Sequence, residues 1–516
     1  MTPSSLVLVL LAAGAYALAL PPFDQSWLAW GTLVPVLMAA RHLPPGRAFA
    51  VGALYGFAMA WAVTWWLSQA IAAYFAASLL FGATAISVAY VSAVSLNIGA
   101  FAAGVSLLHR RALAPWVRVV GTASLWVATE LIRGRLMQDP WALLGYTQHG
   151  QHALIQVAAI TGVYGVSFLV ALGNAALAEI VVATDERRWW HRLLAIRWPV
   201  AALLAIWSVG RAHLPAQPPP AGGSRIAVVQ PNVAPAFRWT RPHAERQMAA
   251  NLRLTQQVIA AGPALVVWPE NAVTLQLEQE PFFARRLAML ARESGADVLF
   301  GAPRPEGRRI FNSARLWRAD GTQAHYDKRR LVPFAEAPIG GARSGTPPAD
   351  PGPLDRPTVF TAGTAPGVLR SVADLGVSIC HEVLYPELIA DSVRAGARVL
   401  VNLANDGWLD GGYGVASRQH FAMAVFRAVE NRRYLVRSAT TGVSGIVDPY
   451  GRVVRAAAPG QAAVLLATVQ PRPDLTPYAR MGDVFAGLCV LVAGLLLLPP
   501  VPLRARVWMP SPASMR

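Results

Sequence analysis

Charge is scarce in this chain, and lysine is almost missing. Only 14% of its 516 residues are Asp, Glu, Lys or Arg, while 54% are hydrophobic and mean hydropathy is +0.38. Ordinary globular proteins carry roughly 25% charged and 45–50% apolar residues, so this composition excludes a disordered chain and argues against a fully soluble one. All but one of the 45 basic residues are arginine, and the exception is Lys328. Cysteine is limited to Cys380 and Cys489, too few for a disulfide framework. With no CxxC and no Cys/His cluster there is no zinc signature, and nothing in the sequence calls for a metal or a cofactor. The net charge of +17 raises the question of nucleic acid, but no aromatic-and-basic RNA motif accompanies it.

What is present is a series of long apolar runs, each near the ~20 residues needed to span a bilayer. Seven precede residue 213, at about 4–20, 25–40, 48–68, 83–108, 116–135, 153–183 and 198–212, and an eighth covers 484–503. The first has no basic leader and reads as one of a series rather than as a cleaved signal. Arginine marks alternate connections: Arg41 and Arg47, then Arg110, Arg111 and Arg118, then Arg187, Arg188, Arg192 and Arg197, and finally Arg504, Arg506 and Arg516. The intervening loops, Pro21–Ser26 and 69–80, hold none. Because short cytoplasmic loops carry the positive excess, both termini are predicted inside and residues 214–480 outside. Membrane orientation thus absorbs the basicity that nucleic acid would otherwise explain.

The predicted domains are therefore 1–213 (seven transmembrane helices), 214–224 (a linker through QPPPAGG), 225–480 (an extracytoplasmic domain) and 481–516 (the eighth helix and a tail). Within 225–480, β-branched runs at 226–230, 264–270, 297–303, 375–382 and 398–406 read as buried strands. Helical spacing appears at 241–261, 283–294, 385–396 and 417–433. Such alternation predicts an α/β layered domain with reactive groups at strand ends. Three strand ends or adjacent loops carry chemistry: Glu270 after VVWP, Lys328 in HYDKRRLVPFAEAP, and Cys380 in GVSICHE. A carboxylate, an ammonium and a thiol brought together can run acyl transfer through a covalent intermediate. Elsewhere, Cys489 reads as a small apolar packing residue, His420 as a structural hydrogen bonder, and Glu130 with Arg133 as a pair at the membrane surface.

WPE, then YDKxxLVPFxE, then ICxE, in that order, resemble the nitrilase or carbon–nitrogen hydrolase superfamily. Surrounded by eight spans, they are similar to its membrane-bound apolipoprotein N-acyltransferase family. Further pieces agree: PFDQSWLAW near the start, IQVAAITGVYGVSFLV at 155–170, AVVQPNV, NLANDGW and the QHFAMAVFRAVENRR segment. The resemblance implies an α-β-β-α sandwich on the periplasmic side of a bacterial inner membrane, with N- and C-termini cytoplasmic. It implies Glu270 as general base, Lys328 as oxyanion-stabilising lysine and Cys380 as nucleophile. Glu336, His381 and Glu382 would support the site or its oxyanion, and Trp239 and Trp408 would contact substrate. The implied partners are a phospholipid acyl donor, a diacylglyceryl apolipoprotein acceptor and membrane lipid, with no nucleic acid, acting on a monomer without a cofactor. Access is expected between the spans and past apolar loops at 334–365 and 408–415.

The pattern has departures. His381 stands where the family usually has Tyr, Ala335 replaces Gly, and Thr440 stands where Asn is common. His381, as a group that titrates near neutrality, is expected to shift the pH profile. Two other readings use the same residues: a membrane-anchored amidase or nitrilase that passes the acyl group to water, and a non-enzymatic membrane protein carrying a decayed domain.

Overall fold

The computed structural model describes residues 3–181, 189–215, 222–234, 239–333, 335–337, 359–409 and 414–498, with backbone alone for 189–196. Most of the expected access loops, 334, 338–358 and 410–413, and the arginines at 187–188 and 504–516 lie outside the described residues.

Among these residues three helices are long and apolar enough to cross a bilayer: Pro45–Thr64, Leu79–His109 and Val163–Val181. Shorter apolar helices are Pro3–Leu18, His152–Thr161 and Val484–Leu497, and Pro115–Arg135 and Trp189–Ala212 cover the remaining long runs. The expected run at 25–40 is not one continuous helix. It divides into a 3₁₀ turn, Ser26–Trp30, and a nine-residue helix, Val34–His42. Pro35 has no N–H to continue the ladder and is tolerated only in a helix's first turn, which is where it sits. Nine residues rise only about 14 Å, half of an apolar core about 30 Å thick. The pairing expected of Glu130 and Arg133 is also corrected. Glu130 accepts from Trp126 Nε1 (3.0 Å) and the Leu144 amide (2.7 Å), while Arg133 lies 3.5 Å from Asp139 and donates to the Trp141 carbonyl. Both clamp the chain that turns back at 139–148.

Close helix contact here depends on missing side chains. Gly52 and Gly56, four residues apart on Pro45–Thr64, face Ser92–His109; a Cβ on Gly52 would lie 2.4 Å from Ala102 Cβ, and one on Gly56 2.8 Å from Ile98 Cβ. Small residues at such spacing let helices approach where lipid supplies no hydrophobic drive.

The following region is a four-layer sandwich. Twelve strands run in order: β1 Ser224–Gln230, β2 Leu265–Val267, β3 Asp297–Glu306, β4 Arg309–Trp317, β5 Gln323–Asp327, β6 Val368–Arg370, β7 Asp374–Ile379, β8 Val399–Ala404, β9 Leu435–Ala439, β10 Ser444–Val447, β11 Val453–Ala457 and β12 Ala463–Val469. They form two six-stranded sheets, β12-β1-β2-β3-β4-β5 and β11-β10-β9-β8-β7-β6. Each has a parallel centre, β1-β2-β3 or β7-β8-β9, with antiparallel flanks. Ile226, Val228, Leu265, Val267 and Leu299 meet Val377, Ile379, Val401, Leu403 and Val436 between the sheets. The alternate residues Val229, Val266, Val298 and Phe300 pack outward with Met248, Leu252, Phe283 and Leu287 of helices Arg241–Ile259 and Pro281–Ser294. This is the period-two division that a sheet covered on both faces requires.

The outer layer of the second sheet is Pro386–Arg394 and Val415–Asn431. In Val415–Asn431 only Arg418 and Phe421 escape full burial, because its far side rests on the membrane-helix part. Met423, Phe426 and Val429 belong to one continuous apolar core with Leu144, Tyr146, Ile155 and Val166.

Replacing Gly52 with Val is expected to lower stability by about 1–3 kcal/mol through overpacking. Gly14→Val, where the added atoms meet open space, serves as the control, and thermal unfolding midpoints in detergent provide the measurement.

Candidate active site

Glu270 leaves the end of β2 in the segment Trp268-Pro269-Glu270. Trp268 is buried and donates to Thr255 Oγ1 at 2.9 Å, fixing the exit of the strand. Gly301 of β3 passes directly beneath: its amide donates to the Pro269 carbonyl (3.1 Å), and a Cβ there would lie 2.6 Å from Glu270 Cα. The carboxylate is thereby held against the sheet, 3% exposed.

Lys328 follows β5, and its amide donates to the carbonyl of Asn312 on β4 (2.9 Å). Its Nζ lies 3.0 Å from Glu270 Oε1 and 2.9 Å from Glu336 Oε1. Asn312 Nδ2 donates to the same two oxygens at 2.8 and 2.7 Å, and the Val332 amide holds Glu336 Oε2 at 2.7 Å. Burial disfavours the ammonium, but the two carboxylates outweigh it and raise Lys328, so it stays charged. Burial raises Glu270 above the usual carboxylate range, with Lys328 pulling the other way and Glu336 adding to the rise. Two carboxylates around one buried cation leave a local excess of negative charge, which opposes any further anion nearby.

Cys380 ends β7 on the facing sheet. Its φ is +52°, a left-handed conformation costing roughly 1–2 kcal/mol for a side chain with a Cβ, and the chain turns there directly into the 3₁₀ segment Cys380–Leu384. Such strained turns lift a nucleophile off the sheet. Burial pushes the thiol well up, and Glu270 adds to that, while Lys328 draws it down. The resting group is the thiol, and proton removal must accompany attack.

Glu382 connects the sheets rather than facing Lys328's carboxylate pair. It accepts from Tyr326 Oη of β5 (2.9 Å), the Arg329 and Arg330 amides (2.7 and 3.0 Å) and the Ile379 amide (2.7 Å). One carboxylate therefore ties the lysine loop to the cysteine turn. His381 departs from the expectation of a neutral-range titration. Its side chain is partly buried, and desolvation together with the charges of Lys328, His420 and Arg330 holds it well below the ordinary histidine value, which favours the neutral ring at physiological pH. Its ring packs edge-on to Tyr385 at 5.7 Å. Trp239 lies against Phe360 at 6.0 Å, next to the small cluster of Leu331 and Ala337 that flanks Glu336. Trp408 closes the short turn Asp406–Trp408 and packs on the core shared with the membrane helices. Cys489 is buried and unpaired in Val484–Leu497.

Three contributors were not legible in the sequence. Asn312 is a lone Asn inside a strand, and nothing local reveals that it bridges two carboxylates. Asp406 and Arg437 form, with His420, a buried charged group behind the cysteine. Asp406 lies 2.9 Å from His420 Nδ1 and 2.7 Å from Arg437 Nη2. Against burial, which raises it, Arg437 and His420 draw Asp406 down to about 2. Arg437 also holds Asn402 Oδ1, and Asn402 Nδ2 donates to the Cys380 carbonyl at 3.2 Å. The group continues toward the membrane helices: Trp141 stacks obliquely on His420 at 5.6 Å and donates to Gln419 at 2.8 Å.

Glu382→Gln replaces one acceptor oxygen by a donor amide, leaving a buried N–H without a partner. The expected loss is about 1.5–3 kcal/mol, read as a lowered denaturant midpoint, together with reduced turnover as lysine loop and cysteine turn separate.

Family comparison places this geometry. The family model described as the apolipoprotein N-acyltransferase N-terminal domain matches residues 12–176, and that described as carbon-nitrogen hydrolase matches 225–478. An apolipoprotein N-acyltransferase from Geobacter metallireducens is 33% identical over 509 residues, covering 95% of this chain and 94% of that protein. One from Azotobacter vinelandii is 33% identical over 511 residues, with the same shares covered. A mutant of the Nesterenkonia AN1 amidase from the nitrilase superfamily aligns over 53% of this chain and 100% of its own, at 20% identity and a TM-score of 0.39. On the strength of the full-length matches, the chain belongs to the apolipoprotein N-acyltransferase family.

Proposed function

We propose that this protein transfers an acyl chain from a membrane phospholipid to the α-amino group of an S-diacylglyceryl-cysteine apolipoprotein, by a ping-pong route through a thioester on Cys380. The observation that carries the chemistry is the ammonium of Lys328, locked between Glu270 and Glu336 and close enough to Cys380 to offset part of the rise that burial imposes on its thiol. Glu270 takes the thiol proton as sulfur attacks the ester carbonyl. Its raised pKa brings the base closer to the operating range. The tetrahedral oxyanion is stabilised by Lys328 and the backbone N–H at His381. Glu270 returns the proton to the departing lysophospholipid oxygen, the C–O bond breaks, and the thioester remains. The lipoprotein amine then attacks the thioester; Glu270 accepts its proton, the C–S bond breaks, and the product is an amide with the thiol restored.

In this reading Glu336 and Asn312 position Lys328, Glu382 sets the spacing of lysine and cysteine, and Trp239 and Trp408 border the substrate path. Domains follow the boundaries 1–213, 214–224, 225–480 and 481–516. The eight apolar runs serve as crossings of a bacterial inner membrane, the second of them broken at Pro35, with both termini cytoplasmic and the sandwich periplasmic. Two lipid substrates give the spans a catalytic purpose. Extracting an acyl chain into water costs about 0.8 kcal/mol per CH₂, which a site seated against the bilayer avoids. The protein acts as a monomer in this scheme.

Intact-mass measurement after exposure to phospholipid should show one acyl adduct, absent in Cys380→Ser and discharged by a diacylated lipopeptide as triacylated product. Free fatty acid without triacylated peptide would instead identify a hydrolase. Lys328→Arg should lower turnover by about 10²-fold or more, because a planar guanidinium fork cannot replace a compact ammonium between two carboxylates. For pH, the base works as a carboxylate and its pKa is raised, so activity must climb with pH through a midpoint above the ordinary Glu value. An acid limb at or below that value in kcat/KM would contradict Glu270's role.

A further inference from the structure

A second site lies at the opposite end of Val415–Asn431 from the catalytic group. Helix Trp189–Ala212 meets the short helix His152–Ile155 most tightly at Gly210, where a Cβ would lie 1.9 Å from the Ala153 carbonyl oxygen. Beside that contact is a cavity of about 310 Å³. Its lining is mostly apolar, with Val157, Ile160, Ala205, Ile206 and Val209, and its polar members are Gln156, His213 and Arg432.

Arg432 is unusual in three respects. It caps Val415–Asn431 with φ at +51°, a left-handed cap where glycine is the common choice. An arginine there is strained, so its side chain rather than its backbone is the reason for its presence. Its Nη1 donates to Gln156 Oε1 (2.6 Å) and the Pro449 carbonyl (3.1 Å), and its guanidinium lies over Tyr450 at 4.8 Å, with Arg472 on the same ring at 5.8 Å. Among the described residues no carboxylate forms an ion pair with it. Asp448, which attracts it only through space, accepts from the Tyr450 and Arg452 amides. Burial and Arg472 lower Arg432 to about 10, against the pull of Tyr450 and Asp448. A cation with no direct carboxylate partner, lining an otherwise largely apolar cavity, is complementary to an anionic head joined to a hydrocarbon chain.

We propose that this cavity holds one glycerophospholipid, its phosphate on Arg432 and one acyl chain between Trp189–Ala212 and the 157–160 segment, as a resident lipid distinct from the acyl donor. His420, in the charged group behind the cysteine, lies twelve residues up the helix from Arg432, about 18 Å along its axis, which sets this cavity apart from the reactive turn. The lipid fills a gap at the junction of membrane helices and sandwich. This proposal rests on the reading that Trp189–Ala212 crosses the bilayer.

The test is native mass spectrometry of the full chain in detergent, titrated with palmitoyl-oleoyl phosphatidylglycerol, using Cys380→Ser as background so that turnover cannot remove the probe. One retained lipid is expected. Arg432→Gly suits the left-handed cap and preserves the backbone, and Ala205→Trp fills the apolar wall while leaving the cation. Each should weaken retention at least tenfold. Lipid retention unchanged in both variants, no retained lipid in the parent, or full displacement by inorganic phosphate would overturn the proposal. Recovery of the parent chain from cells in the soluble fraction, without detergent, would instead sink the membrane reading itself, independently of the lipid count.

Discussion

The groups proposed to do the chemistry come from two different sheets, and the carboxylate of Glu382 is what holds them in register. Glu270, Asn312 and Lys328 belong to the first sheet or its loops, whereas Cys380 ends a strand of the second. Apolar packing between the sheets fixes their separation only coarsely, because side chains such as Val228 and Val401 are not directional. Four donors converging on one buried carboxylate supply the missing direction. The lysine loop cannot drift from the cysteine turn without stranding backbone amides that have no water to turn to. Lys328 is then confined a second time by its own two carboxylates. Its position is determined from the backbone side and from the side-chain side at once.

Behind the cysteine, the charged pair of Asp406 and Arg437 does something similar together with His420 and Asn402. This group joins the cysteine turn to helix Val415–Asn431, and through Gln419 and Trp141 to Val63 of Pro45–Thr64 and to Pro21 in the turn after Pro3–Leu18. Farther along the same helix, Arg427 bonds Glu430 and Tyr146, and Glu430 accepts the Val163 amide at the start of Val163–Val181. Burial, against the pull of Arg427, raises Glu430 to about 7. One helix therefore carries polar contacts to both the reactive turn and the membrane helices, within an otherwise apolar layer.

The parts of this arrangement visible in the sequence share a physical cause. Central parallel strands are buried on both faces, so IAVVQ, ALVVWPE and GVSICHE read as apolar runs with a polar terminus, and Glu270 and Cys380 stood out at those ends. Lys328 stood out because every other basic residue is Arg. The flanking strands β4–β6 and β10–β12 were not legible, nor was the central β9: RIFNSARLW, QAHYD and LVRSA interleave charged or polar residues with apolar ones, and their pairing is decided by neighbours far along the chain. Asn312 was invisible for that reason, since its value lies in the two carboxylates brought to it by the fold. The run at 25–40 misled because hydropathy averages over Pro35, which keeps the helix Val34–His42 from extending toward the N-terminus without making the segment any less apolar. His381 misled because a residue type suggests a titration range, while the titration itself belongs to its surroundings.

The single apolar core that runs from Val166 through Phe426 to the second sheet has a consequence for how the two halves can exist apart. In an anchored enzyme with a tether, cutting the tether releases a soluble catalyst. Here the cut surface would be the interior of the molecule. A freed sandwich would present Met423, Phe426 and Val429 to water along with the buried charges of Arg427 and Glu430, and the bundle left behind would lose the wall that encloses Tyr146 and Ile155. Evolutionary exchange of this sandwich for that of a soluble relative would meet the same obstacle, because the joint is a shared organ of both parts and must change on both sides together.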